Sequence, residues 1–338
     1  MRKFLILFLF ALLTFNTSFA SNIDILPTMQ SKSNAQDRVW VGTFQLVWND
    51  LIDRIAFGEI KFPDGTPQIA IELNRQEITT DDLNEKCYYK YLGKVTKNTK
   101  SIIKNAIKKK FNETSDIIDK LNLSSKVDSY IIYAMLKKDF KFVNTFDKLG
   151  ISDFRDSQAE FFGISKNSNN ELKSGVKILF YNSPSDYAVL LDTIGKDEVY
   201  LYKTPNTKPF NYIYYDMNKK RLAYNGNTNL SNQDELKVPN LKFFEEKTFD
   251  ELSGKRIKGT KLQIDKAIET IKFDMNREGV KLKSEAAITM MKTSLEPEFH
   301  EQPKYLYFDD TFVLFIKEKE KTNPYFALRI HNIDNFQN

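Results

Sequence analysis

The chain has 338 residues, 41% hydrophobic and 28% charged, with a formal net charge of +5 and a single cysteine, Cys87. This composition excludes an intrinsically disordered chain, and one cysteine excludes an intrachain disulfide. Removing Arg2 and Lys3 with the leader described next lowers the charge from +5 to +3, too small a surplus to call for nucleic acid as a partner.

The chain opens with Arg2 and Lys3, an apolar run from Phe4 to Leu13, and then Ser18, Phe19 and Ala20. A basic start, a short apolar run and small residues before a cut are the features of a secretory signal peptide. A membrane span needs about 20 apolar residues, and this run is shorter. Residues 1–20 are therefore expected to be a signal peptide and 21–338 a single exported domain, extracellular or periplasmic, stabilised by its core rather than by disulfides.

Next, Phe44, Val47, Trp48, Leu51, Ile52 and Ile55 recur at three and four residues and predict a helix over 43–55. Residues 68–73 alternate like a short strand, and 81–91 are read as a helix. Lysines then crowd the chain, among them Lys100, Lys104 and Lys108. Such a cluster is either a solvated face or a point-charge site for a polyanion such as a sulfated glycan. Apolar runs at 131–136, 176–181, 188–191, 199–202 and 236–244 predict strands, and residues 248–252 a helical turn.

Near the end, Val280, Leu282, Ser284, Ala286 and Ile288 would share one face of an extended strand. Residues 290–303 mix Lys, Thr, Ser, Glu and Pro without period and predict an exposed connector. The runs 312–316 and 325–330 flank a turn with Asn323 and Pro324, the pattern of a buried hairpin.

Asn276, Glu278 and Gly279, followed by Ser284-Glu285-Ala286-Ala287-Ile288-Thr289, resemble the hinge of the reactive-centre loop of the serpin family. The stretch from Phe308 to Ile316 is similar to that family's strand after the loop, and Asn323 to Asn332 to its last strand. Earlier segments resemble it more weakly: the helix at 43–55, the strand at 131–136 with Tyr133 where the family has Asn, and Val238-Pro239. The resemblance implies an α+β fold with N-terminal helices on a large central β-sheet, smaller sheets, and an exposed loop near the C-terminus.

It also implies a function. A serine protease cuts the loop as bait, and the freed loop inserts as a new strand into the main sheet. Glu278, Gly279, Ser284, Ala286 and Ala287 would form the hinge, and Lys292, Thr293 and Ser294 the scissile region, with Lys292 suggesting a trypsin-like target. Two alignments stay open. Counting from Gly279 puts Val280 and Leu282 at positions the family fills with small residues; treating 280–283 as an insertion restores Ser284 to Thr289 as hinge and moves cleavage toward Pro297. Asn74-Arg75-Gln76-Glu77 stands where the family carries Ser-Pro-x-Ser. The departures from pattern allow an alternative, a non-inhibitory binding module whose loop is already held in the sheet.

Other classes find little support. His300 and His331 with one Cys make neither a zinc cluster nor a Cys/His nucleophile pair, and there is no nucleophile elbow or phosphate-binding glycine loop. The expectation is a monomer that is not an enzyme, with no cofactor or metal and no membrane span.

Overall fold

Strands dominate the chain, as its apolar runs require. The computed structural model describes residues 23–121, 123, 130–282 and 303–337. In chain order its elements are β1 (Ile23–Leu26), β2 (Asp37–Val41), α1 (Thr43–Leu51), α2 (Gln68–Leu73), β3 (Tyr88–Lys94), α3 (Thr99–Phe111), β4 (Tyr130–Leu136) and β5 (Lys138–Lys141). There follow β6 (Asp147–Phe154), β7 (Ser157–Ile164), β8 (Val176–Ser183), β9 (Asp186–Asp192), β10 (Asp197–Lys203), α4 (Phe210–Ala223), β11 (Glu235–Pro239) and β12 (Leu241–Thr248). The last are β13 (Ile268–Asn276), β14 (Gly279–Leu282), β15 (Tyr305–Tyr307), β16 (Phe312–Glu318) and β17 (Phe326–Ile330). The fold is α+β.

The largest sheet has the order β1-β2-β17-β16-β10-β9-β8. Its centre is the C-terminal hairpin, with Ile316 opposite Phe326 and Phe312 opposite Ile330. The hairpin reads as two continuous apolar runs because both faces of the sheet are covered. Phe312, Leu314, Ile316, Phe326 and Leu328 join the main core, while Val313, Phe315 and Ala327 pack with Phe210, Ile213 and Met217 of α4 on the other side. A four-stranded sheet, β15-β11-β7-β6, lies beside it.

The remaining strands form β12-β13-β14-β5 and β3-β4. Only Lys137 separates β4 from β5, and its amide bonds the Cys87 carbonyl at 2.7 Å, so the two small sheets run into one another through that single extended segment. Helix α1 packs against β4 and is buried nearly all round. Its polar side is satisfied: Gln45 donates to Asn49 Oδ1 and to the Leu73 carbonyl, both at 2.8 Å, Asn49 donates to the Ile78 carbonyl, and Asp50 meets Lys90. The apolar periodicity thus marked only part of the buried surface of this helix.

Two expected elements differ. Residues 68–73 are helical rather than extended: Pro67 precedes the first turn, and Ile69, Ala70 and Leu73 are the apolar residues turned inward while Ile71 is 43% exposed. An alternating hexamer fits either period, and Glu72, which takes hydrogen bonds from Ser31 and Thr28, holds the helical one. Residues 81–91 are not a helix. Two short turns at Thr80–Asp82 and Glu85–Cys87, capped by the side chains of Thr79 and Asn84, deliver the Tyr-rich β3 to β4. Tyrosine runs suit a pleated surface better than a helix.

A strand seated between two neighbours

The segment with the strongest sequence signal lies at the junction of β13, β14 and β5. Strand β13 alternates, sending Glu269, Ile271, Phe273 and Met275 inward. Arg277 and Glu278 form the tight turn at its end, where the Asn276 side chain accepts the Glu278 amide at 2.9 Å. The chain reverses into β14, which is paired along both edges: Met275 and Phe140 flank Val280, and Asp274 and Asp139 flank Lys281. Val280 is fully buried. On the flanks, the carbonyl of Glu278 accepts the Phe142 amide and that of Arg277 accepts the Phe146 amide, both at 3.0 Å.

Gly279 is dictated by its neighbours. A Cβ there would stand 2.2 Å from the Phe140 carbonyl oxygen and 2.7 Å from Lys141 Cα, and real side chains do not approach backbone so closely. The glycine lets β14 come up against β5. Of the residues assigned to the hinge, Glu278 lies in the turn and Gly279 begins the strand; Ser284, Ala286 and Ala287 lie outside the described residues, as do Lys292, Thr293 and Ser294 and the signal peptide.

Residues 268–273 of β13 pair with β12, and β4 pairs with β3.

Two buried polar groups border the site. Lys138, opposite Leu282, is 3% exposed and reaches Asp197 Oδ1 at 2.8 Å and Glu318 Oε1 at 2.5 Å. Its ammonium also lies 4.6 Å from the ring centroid of Tyr325, whose hydroxyl donates to Asp197 at 2.9 Å. Asp197 and Glu318 face each other at the ends of β10 and β16, so this cluster ties β5 to the largest sheet. Burial would lower the Lys138 pKa, but the Asp197 charge and the hydrogen bonds leave it raised. The second group is Glu269, which is 4% exposed with no side chain donating to either carboxylate oxygen. Burial pushes its pKa up to about 8, against the opposing pull of the Phe44 amide at the start of α1 and of the Lys247 charge.

The lysine face is a helix surface. In α3, Thr99, Ile103, Ile107 and Phe111 face the core, leaving the lysines outward. Lys104 pairs with Asp119 at 2.7 Å and Lys100 donates to the Asp119 carbonyl, while Lys108 is exposed at the last turn. Asn74, at the position compared with Ser-Pro-x-Ser, is engaged by Trp48 Nε1 and by both backbone groups of Ile60. Among the described residues no group of three His, Cys, Asp or Glu side chains could hold a metal ion, and no helix is long and apolar enough to cross a membrane.

The sequence matches no known family and no curated protein. The structure is similar to Serpin48 of the insect Tenebrio molitor, at 16% identity and a TM-score of 0.41, over 78% of this chain and 70% of that one. It is also similar to human thyroxine-binding globulin complexed with its hormone, at 11% identity and a TM-score of 0.42, over 71% of this chain and 65% of that one. Human glycosylated kallistatin is a third, at 13% identity and 0.41, over 70% and 64%. The chain thus spans about two thirds of the length of these solved structures.

Proposed function

We propose that this chain is an exported serpin-like protein, and that it inhibits a serine protease by offering residues 290–303 as bait and taking the cut loop into its sheet. The observation that carries the reading is β14. It is a strand already seated between β13 and β5, antiparallel to both, at the head of the segment whose sequence resembles the family's hinge.

The pairing numbers extend the reading. Continued without a slip, the ladder of β14 would set Ser284 beside Ile271 and Leu136, Ala286 beside Glu269 and Ala134, and Ile288 beside Ala267 and Ile132. In that register they would share the face of Val280, which is buried. Small and apolar residues can enter a packed interior on that face, whereas the intervening Lys283, Glu285 and Thr289 would point outward. The paired register of Val280 favours counting directly from Gly279 over treating 280–283 as an insertion.

The seated strand also favours the second reading, a binding module whose loop is held in the sheet without inhibition. The two differ in what a protease does. Incubated with a trypsin-like serine protease, an inhibitor gives a complex of the two chains that survives boiling in detergent, because the acyl-enzyme bond is trapped. Mutating Lys292 to Glu is expected to abolish that complex with a trypsin-like enzyme. Cleavage at 290–303 with full release of active protease would oppose inhibition and leave the binding module.

A further inference from the structure

Glu269 is out of place by the ordinary rules of burial. Its neighbours along the inward face of β13 are Ile271, Phe273 and Met275, and it is a carboxyl group to which no side chain donates a hydrogen bond, the Phe44 amide being the backbone donor directed at it. A buried carboxylate without a partner is among the most costly groups a core can hold, and the group normally escapes by keeping its proton.

The surroundings offer only partial relief. From α1, the Phe44 amide faces it in the first turn, where a helix favours negative charge. From β12, its cross-strand partner is Lys247, but that ammonium is already bound to Asp24 Oδ1 at 2.7 Å and to the Ile25 carbonyl at 2.9 Å, and it lies over the Phe249 ring. From β1, Asp24 has the same sign as an ionised Glu269 and is spent on Lys247 and Ser33; on β12, the half-buried Glu245 opposite Ile271 is a second charge of that sign on the face of Lys247. Phe44 and Phe249, with ring centroids 4.4 Å apart, close the space between helix and strand.

We propose that Glu269 is a proton-operated latch between the start of α1 and the strand pair β12–β13. Carrying its proton, the side chain is a neutral filler and the helix rests on the sheet. Losing it places an uncompensated charge in that interface, and the interface loosens until water or Lys247 reaches the carboxylate. The loosened parts are residues 268–273 of β13, paired with β12, and the first turn of α1, and they loosen as pH rises towards about 8.

The test is hydrogen exchange on the uncut full chain, corrected for the intrinsic pH dependence of exchange, in the wild type and in Glu269→Gln. In the wild type, the opening constant of 268–273 and of the first turn of α1 is expected to rise by up to about tenfold per pH unit as pH approaches about 8, and then to level. Glu269→Gln, neutral at every pH, should stay protected throughout, while the C-terminal hairpin behaves alike in both proteins. Equal pH dependence in the two proteins, or none in the wild type, overturns the latch. Should Glu269→Gln fail to fold, carbon-13 carboxyl shifts of the wild type decide: titration of Glu269 near the ordinary value of about 4.3 overturns it. Because no protease is used, failure here leaves the inhibition reading untouched, and failure to trap a protease leaves the latch standing.

Discussion

Replacing Lys138 with Ala is expected to destabilise the protein by about 3–5 kcal/mol, the usual cost of removing one partner from a buried ion pair. Asp197 and Glu318 face each other across β10 and β16 and share this one ammonium. Without it two carboxylates are left close together, nearly buried, with the Tyr325 hydroxyl and the Asn84 amide as their hydrogen-bond donors among the described residues. Lys138→Met, which keeps the length of the side chain, should cost nearly as much, because the loss lies in the stranded carboxylates rather than in packing. Denaturant unfolding of both variants measures the effect. Adding Asp197→Asn and Glu318→Gln to Lys138→Met should restore much of the stability, since a neutral cluster needs no cation. If the single variants lose less than about 1 kcal/mol, the cluster is not what joins β5 to the largest sheet.

Gly279→Val is the second change with a large expected effect. Its added atoms fall on the Phe140 carbonyl and on Lys141 Cα; these are backbone positions on a paired strand and have no rotamer to yield. Forcing extra carbons into a packed site costs about 1–3 kcal/mol when the surroundings can shift. Here the shift is the separation of β14 from β5. Val280 would then leave a core in which it is fully buried, at a further cost of about 1.5–3 kcal/mol. The expected result is a folded protein whose amides at 138–141 exchange quickly and whose 283–302 segment is cut sooner by a nonspecific protease. Unchanged protection at 138–141 would mean that β14 is not held there by close approach.

How much of this was legible beforehand differs by element. The hairpin of β16 and β17 was plain because runs such as Phe312 to Ile316 are long, apolar and separated by a turn with Asn323 and Pro324. Gly279 stood out through the hinge-like pattern, but its reason, the nearness of Phe140 and Lys141, is a tertiary fact that no local signal carries. Helix α2 was missed because six residues with apolar side chains at 69, 70, 71 and 73 satisfy two periods, and the packing that decides between them involves Ser31 and Thr28, some 40 residues away. Residues 81–91 were misread because the capped turns at Thr79 and Asn84 mimic the start of a helix.

The buried charges were the least legible. Lys138 is one lysine in a lysine-rich chain, and its partners lie at 197 and 318, so nothing near it in sequence sets it apart from the solvated lysines of α3. Glu269 occupies an inward position of a strand whose alternation is otherwise regular. The period could have flagged it, as a charge where an apolar residue is due. Only its place under α1 gives that departure a consequence.

The central claim is that the sheet accepts the chain beyond Leu282 as a new strand. It is tested most directly by the melting temperature of the purified protein, at one scan rate, before and after a protease nicks residues 290–303. At this chain length each kcal/mol moves Tm by roughly 2 °C, and burying a continued strand adds several kcal/mol, so a rise of about 10 °C or more is expected. A nicked protein that melts at the same temperature as the intact one, or below it, would contradict the account.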